Sequence, residues 1–283
     1  MSNVKCGFFL AEDPKDPKDL KVLKVLKVLK VPKVLNINHH KTMTDTYFTD
    51  DMAERHSRTM AVDDIGLEGI QRLVGAMVGI VGAGALGGAV AVALAAAGVG
   101  RLRIIDFDCV ELSNLPRQTA YTTGDVGRPK VEALAERLTA LNPSVAADTR
   151  FERLGADNVS SFVQGCDVVV DCTDNGATMT MVADATRAAS IPCVLGGVAG
   201  RQAQVMSFSH AAGPASVSYR DIFGDGSRGR APRGIFPPAP ATVAALQSAR
   251  ALDMLLHTDR ESLPTVLVLD IDLATLRCRR LAL

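Results

Sequence analysis

The sequence has no excess of either charge, because 31 lysines and arginines balance 31 aspartates and glutamates among its 283 residues. A chain of zero formal charge has no general electrostatic attraction for nucleic acid or for an anionic membrane surface, which argues against both as partners. The chain also lacks an apolar run of the roughly 20 residues that a membrane helix needs. Its richest stretch, residues 83–99, is interrupted by four glycines. We therefore expect a soluble protein.

Neither a C-x-x-C pair nor a secretory signal is present, although the chain has six cysteines. Disulfides and signal peptides accompany export, whereas unpaired cysteines are typical of a reducing compartment. The sequence thus predicts free thiols and a cytoplasmic protein.

Two regions differ sharply in composition. Residues 13–36 run in triplets such as VLK-VLK-VLK, a period that fits neither a helix nor a strand. We expect residues 1–50 to be a low-complexity tail; a basic arm that binds a membrane surface or a partner is the alternative. The remaining residues, 51–283, are long enough for one large α/β domain, and 47% of the whole chain is hydrophobic.

A strand, a glycine-rich loop, a helix and a second strand follow one another early in this domain. Met77–Val81 is a fully apolar run of strand length, and residues 82–87 read GAGALG. Residues 88–97 are rich in alanine, valine and leucine, as in a helix packed closely on a sheet, and residues 102–105 form a second apolar run closed by Asp106. This order is typical of the first unit of a nucleotide-binding sheet.

Later elements complete the prediction of a Rossmann-like doubly wound sheet. Short helices broken around Gly66 and Gly69 are expected before the first strand. Helices are predicted over residues 130–141, 177–189 and 242–256, and strands over 168–170, 193–195, 204–208, 266–271 and 276–282. Residues 213–240 are predicted to be irregular. Alternation of strands and helices followed by a strand-rich end indicates a parallel N-terminal half and antiparallel strands toward the C-terminus.

The glycine loop and Asp106 alone indicate that the domain binds a nucleotide, but not which nucleotide or which reaction. Asp106 lies 19 residues after Gly87, a spacing suited to a ribose-binding acid, so an NAD-dependent oxidoreductase explains these two features. It does not explain Arg117 and Lys130, which are cations of the type that a triphosphate requires. Asp174, after another strand, is a carboxylate of the kind that holds the Mg²⁺ carried by ATP.

Seven short motifs, in this order, resemble the ThiF/MoeB/HesA family, bacterial relatives of the ubiquitin-activating E1 enzymes. The similarity covers residue 55 to the C-terminus. The motifs are RHSR (55–58), GLEG (66–69), GAGALG (82–87), DFD (106–108), SNLPRQ (113–118), GRPKVE (127–132) and DCTDN (171–175).

The resemblance implies ATP-dependent adenylation of the C-terminal glycine of a small ubiquitin-like sulfur carrier that ends in Gly-Gly, with release of pyrophosphate. It implies Mg²⁺ bound by Asp174, and a homodimer in which Arg58 reaches the neighbouring ATP site. Arg117 and Lys130 are the other implied catalytic residues. Some relatives activate a peptide or a tRNA carboxylate instead, and some are non-catalytic partner subunits. The implied nucleotide-binding residues are Gly82, Gly84, Ala85, Asp106, Asn114, Arg117, Gln118, Lys130, Asp174 and Asn175.

Each implied role has a structural alternative. Asp106 can cap the turn after its strand, and Asp174 can cap the helix that follows it. Arg117 and Lys130 can be solvated surface charges, and Arg58 can form an ion pair within its own chain.

Two departures from the family bear on metal binding and on group transfer. Ala215 and Ser218 stand where many members have the first C-x-x-C of a zinc site, and the second pair is absent, so we expect no zinc. No cysteine occurs from Val194 to Arg277, although members that transfer sulfur or acyl groups use a cysteine near the position of Arg230. The nearby arginines 228, 230 and 233 suggest either a clamp for the substrate tail or pyrophosphate, or a solvated loop.

Overall fold

The computed structural model describes residues 49–211, 213–224, 234–257 and 266–282. Apart from Thr49 and Asp50, the predicted tail lies outside these residues. Thr49 caps the first helix, since its hydroxyl accepts a hydrogen bond from the amide of Met52 at 3.2 Å.

The described residues form a mixed sheet with helices on both faces. The strands are β1 (Met77–Val81), β2 (Arg101–Asp106), β3 (Ala146–Phe151), β4 (Val168–Asp171), β5 (Cys193–Ala199), β6 (Gln202–Phe208), β7 (Val266–Asp272) and β8 (Arg277–Ala282). The helices are α1 (Asp50–Arg55), α2 (Ser57–Met60), α3 (Gly66–Gly75), α4 (Ala85–Ala97), α5 (Lys130–Leu141), α6 (Val159–Val163), α7 (Gly176–Ala188), α8 (Tyr219–Phe223) and α9 (Pro238–Leu256).

The sheet has eight strands in the order β3-β2-β1-β4-β5-β6-β7-β8. The first five strands in this order are parallel, and β6, β7 and β8 continue the sheet in antiparallel pairs. The predicted doubly wound sheet with antiparallel strands toward the C-terminus is confirmed. All five parallel strands end at the same edge, which is where open α/β sheets bind their ligands.

Strand β1 lies inside the sheet, and both of its faces are buried. Val78 and Ile80 pack into a core with Leu94 of α4, whereas Val81 packs into a second core with Phe162 of α6. A strand covered by helices on both sides requires a continuous apolar sequence, which is the pattern that predicts it.

Several boundaries differ from the prediction. Helix α4 begins at Ala85 rather than residue 88, so it includes part of the glycine loop. Gly69 lies inside α3 and does not break it, because the small residue packs against Ile65 and Leu256. The predicted irregular segment, 213–240, contains α8 and the start of α9, while its residues 225–233 lie outside the described part.

Candidate active site

A cavity of about 390 Å³ opens at the carboxyl edge of the parallel strands. All ten residues that the resemblance implies for nucleotide binding line this cavity, although they come from five separate motifs. They are Gly82, Gly84, Ala85, Asp106, Asn114, Arg117, Gln118, Lys130, Asp174 and Asn175. Arg58 does not line it; this residue is exposed on α2.

The glycine loop is compact because the chain passes very close to itself. A Cβ on Gly87 would lie 1.7 Å from the carbonyl oxygen of Gly82, so only glycine fits there. Gly82 itself has a φ of +88°, in the left-handed region that favours glycine. Gly84 then occupies the N-cap of α4. The first amides of α4 therefore face the cavity with no helical partner, as in anion-binding turns.

Asp106 holds this loop against the sheet. One of its carboxylate oxygens accepts a hydrogen bond from the amide of Ala83 at 2.6 Å, and the other accepts from the amide of Asp108 at 2.8 Å. The hydroxyl of Tyr121 donates to the carbonyl of Ala83 at 2.5 Å. Asp106 therefore caps the turn after its strand. The same carboxylate can still accept hydrogen bonds from a ribose, since a carboxylate has about four acceptor positions and these two hydrogen bonds use two of them.

The two implied phosphate ligands differ in their surroundings. The Lys130 ammonium pairs with Asp108 at 2.9 Å, and its side chain is only 6% exposed, so it is not a solvated surface charge. Arg117 is half-buried and donates to the carbonyl of Ser113 at 2.9 Å. Gln118 is buried beside the cavity, and its side-chain oxygen has no hydrogen-bond partner among the residues that the structure describes. A buried orphan acceptor is costly unless a ligand or water meets it.

Asp174 and Asn175 are neighbours in the chain, but only Asn175 caps the helix that follows them. The Asn175 side chain caps α7 by accepting hydrogen bonds from the amides of Ala177 and Thr178 at 2.9 and 3.4 Å. The alternative reading, in which Asp174 caps this helix, does not hold, because Asn175 is the N-cap. Asp174 is exposed at the cavity and makes no hydrogen bond or ion pair with the described residues.

Asp174 fits Mg²⁺ as a ligand even though the described residues contain no group of three metal-binding side chains. Mg²⁺ prefers oxygen ligands, keeps several waters and is commonly held by one or two carboxylates together with substrate phosphates. An unpaired carboxylate in the cavity meets this requirement.

Below the cavity, sequence reasoning missed a buried carboxyl group. Asp171 ends β4 fully buried, and burial raises the pKa of its side chain to about 6 because the charged form loses its hydration. The amide of Thr173 donates to one carboxylate oxygen at 2.8 Å. From α9, the Gln247 side chain donates to the backbone carbonyl of Asp171 at 2.8 Å. These contacts fix the start of the loop that carries Asp174.

Ala215 and Ser218, which stand at the positions of the first C-x-x-C of the family, lie at a short turn and at a helix start. Ser218 is the N-cap of α8, where its side chain accepts from the amide of Asp221 and the Asp221 carboxylate accepts in return. Ala215 ends a short 3₁₀ turn. The arginines at positions 228, 230 and 233 lie outside the described residues.

None of the helices in the described part of the chain has the length and the apolar character that a membrane span requires.

Comparison with known proteins identifies the family. The ThiF family matches residues 56–282. A sulfur carrier protein adenylyltransferase of Thermus thermophilus is 39% identical over 216 residues, which are 74% of this chain and 80% of the relative. The sulfur carrier protein ThiS adenylyltransferase of Escherichia coli is 37% identical over 205 residues, which are 71% and 80% of the two chains.

Solved structures show the same fold. PaaA superposes with a TM-score of 0.70 at 22% identity, covering 94% of this chain and 83% of that one. E. coli MccB with ATP gives 0.66 at 22% identity, covering 81% and 71%. The curated relatives are adenylyltransferases, so an NAD-dependent oxidoreductase is not favoured. The chain belongs to the ThiF family.

Proposed function

We propose that this chain is an ATP-dependent adenylyltransferase that activates the C-terminal carboxylate of a small ubiquitin-like sulfur carrier protein. The observation that carries the proposal is the convergence of ten residues from five motifs on one cavity. Two relatives named as adenylyltransferases of sulfur carriers are 39% and 37% identical to this chain over 216 and 205 residues. ATP is the substrate whose parts the cavity matches: an acid for ribose, and cations with free amides for phosphates.

In the proposed reaction, a carboxylate oxygen of the carrier attacks the α-phosphate of ATP. A new O–P bond forms, the bond from the α-phosphorus to the bridging oxygen breaks, and pyrophosphate leaves with that electron pair. Lys130 and Arg117 donate hydrogen bonds to the phosphate oxygens, which gain charge as the bond breaks. The free amides at the start of α4 also donate hydrogen bonds to phosphate oxygens.

The protein supplies no nucleophile for this step. Cys172 lines the cavity, but burial and the neighbouring Asp171 raise the pKa of its thiol well above the usual value. A protonated, buried thiol is a poor nucleophile. Adenylation needs none, because the carrier's own carboxylate attacks.

Asp174 is the residue that would hold Mg²⁺ in this proposal. Bound there, the ion would neutralise part of the phosphate charge. The family resemblance implies that the carrier ends in Gly-Gly. The five cysteines that the structure describes are free, in keeping with the expected cytoplasmic location.

The test of the function is exchange of radiolabelled pyrophosphate into ATP by the purified full-length protein. We expect exchange only when a sulfur carrier ending in Gly-Gly is present, because the carboxylate is the attacking group. The matched control is the same carrier with its last glycine removed, which shifts the carboxylate by one residue. Exchange with a short peptide or with tRNA, but with no sulfur carrier, would refute the proposed substrate.

The family resemblance implies that Arg58 acts in the site of a partner subunit. Its exposure on α2, away from the cavity of its own chain, leaves it accessible to a second copy. If so, Arg58→Ala and Asp174→Ala chains are each inactive but complement one another. Refolded together in equal amounts, about half of the two-fold dimers are mixed, and each mixed dimer has one site with both residues intact. About a quarter of the wild-type exchange activity should therefore return.

Native mass spectrometry is needed to confirm that mixed dimers form. Their presence without recovered activity would mean that Arg58 acts within its own chain or has no role. A protein that remains monomeric while fully active would contradict both the dimer and the role of Arg58.

A further inference from the structure

Helices α1 and α2 meet at His56, ahead of the first strand. This residue is the C-cap of α1 and also the N-cap of α2: its amide donates to the carbonyl of Met52 at 3.0 Å, and its carbonyl accepts from the amide of Met60 at 2.9 Å. None of the four residues of α2 is buried, although Met60 packs partly against the core. The position of α2 therefore depends on where His56 lies.

The side chain of His56 is held by a turn of the domain core. It is only 3% exposed, and it lies against Gly98, the left-handed C-cap of α4. A Cβ on Gly98 would lie 2.8 Å from the Cε1 atom of the imidazole. The ring thus occupies the space that a side chain at this turn would need.

Arg55 adds a second contact to the same part of the core. Its guanidinium donates at 3.1 Å to the carbonyl of Leu141, the last residue of α5, where the carbonyls lack helical partners and favour a cation. Asn142 joins the two helix ends, since its side chain donates to the carbonyl of Ala95 in α4 at 2.9 Å. Arg55 and His56 therefore rest on the linked carboxyl ends of α4 and α5.

We propose that Arg55 and His56 are positioning residues, which anchor α2 on the domain core and so set the place from which Arg58 reaches the active site of a partner subunit. This inference rests on the proposed function, because it takes Arg58 to act in that site. Arg58 follows His56 by two residues on α2. A guanidinium that must meet a phosphate within hydrogen-bond distance tolerates little movement of its helix. The anchor therefore lies on one subunit and acts in the other.

The same contacts offer a competing route through the anchor's own chain. Helix α4 has Gly84 as its N-cap and α5 begins at Lys130, and both of these residues line the ATP cavity. An anchor that acted along these helices would affect the site of its own subunit. The two routes differ in which subunit loses activity, and mixed dimers distinguish them.

The experiment measures pyrophosphate exchange by full-length His56→Ala protein, with the carrier that supports exchange by the wild type. We expect about a tenfold loss, because activity falls with the fraction of molecules whose anchor is docked. Refolded in equal amounts with Asp174→Ala, the variant should give about a quarter of wild-type activity, because its own site then receives a well-placed Arg58. Refolded with Arg58→Ala, it should give only about one twentieth, because neither subunit supplies one.

Gly98→Ala tests the anchor from the other side, since its Cβ would push the His56 ring away, and it should give the same two results. The matched control is Gly165→Ala. Gly165 has a φ of +80°, close to the +97° of Gly98, but a Cβ there meets nothing within 4 Å. Gly165→Ala should therefore have a lowered Tm from backbone strain and yet keep wild-type exchange.

The other outcomes overturn the inference in distinguishable ways. Recovery with Arg58→Ala but not with Asp174→Ala would assign the anchor to the site of its own chain. Recovery with neither, in dimers confirmed by native mass spectrometry, would assign it a purely structural role, and so would an equal loss of exchange in Gly165→Ala.

Two further results would also count against the anchor. Wild-type exchange in His56→Ala would remove its role, and failure of Arg58→Ala and Asp174→Ala to complement one another would leave it no partner site to act in. Adenylation by the wild type would stand in both cases. A wild type that shows no exchange would instead overturn the proposed function, and the inference with it.

Discussion

Asp174→Asn protein is expected to lose about 100- to 1000-fold of its pyrophosphate exchange rate, a loss typical of removing one preorganised electrostatic group from an active site. The substitution keeps the size of the side chain and removes only its charge. If Asp174 holds Mg²⁺, the variant should also lose the dependence of ATP affinity on Mg²⁺, which calorimetry at different Mg²⁺ concentrations measures.

Stability should hardly change in the same variant. The Asp174 carboxylate is exposed, it has no partner among the described residues, and Asn175 performs the capping of α7. Its negative charge also helps to raise the pKa of the buried Asp171, so removing that charge relieves a small repulsion. Surface changes of this kind stay within about 0.5 kcal/mol, which is a shift in Tm of about 2 °C or less for a chain of this size.

Asp184→Asn is the control for this prediction. Asp184 lies on α7, as a half-exposed partner of Arg220 at 2.9 Å, and is not part of the cavity. Its loss should leave exchange unchanged, because an exposed ion pair contributes little. Wild-type exchange in Asp174→Asn, or a collapse of exchange in Asp184→Asn, would contradict the assignment of Asp174.

The parts of the fold that could be predicted are those whose burial leaves a pattern in the sequence. Strand β1 is apolar throughout because helices cover both its faces, and α5 shows a helical repeat because one face packs on the sheet. Strand β3 was not predicted. It lies at the edge of the sheet, none of its residues is fully buried, and Asp148 and Arg150 interrupt any apolar run. Helix α6 was also missed, since its five residues are too few for a helical repeat.

The contacts of the candidate site likewise separate into those that the sequence predicts and those that it does not. Candidate residues whose chemical type indicates a role, such as Lys130 and Asp174, stand in short motifs and could be named from the sequence. Two contacts could not be predicted from the sequence. The stack of Arg153 on Phe107 joins residues 46 positions apart, and the hydrogen bond from Gln247 to Asp171 joins residues 76 positions apart. Such contacts depend on how strands and helices pack, and neither partner shows a local pattern of its own.

Gly87→Ala is expected to damage both folding and nucleotide binding. The added Cβ would lie 1.7 Å from the carbonyl oxygen of Gly82, far inside van der Waals contact. Gly82 cannot move away easily, because its amide donates to the carbonyl of Ile105 at 2.8 Å and its φ of +88° fixes the turn. The start of α4 must therefore shift away from β1. Strain of this kind costs about 3 kcal/mol, and Tm should fall by roughly 6–12 °C.

The matched control is Gly75→Ala, at the end of α3. A Cβ there meets nothing within 4 Å, and alanine is the better helix former, so stability should stay the same or rise by about 0.5–1 kcal/mol. Urea unfolding measures both variants, and ATP titration shows whether the loop still binds. A Gly87→Ala protein as stable as the wild type, with unchanged ATP affinity, would mean that α4 can begin farther from β1. The close approach of Gly82 and Gly87 would then have no part in shaping the phosphate site.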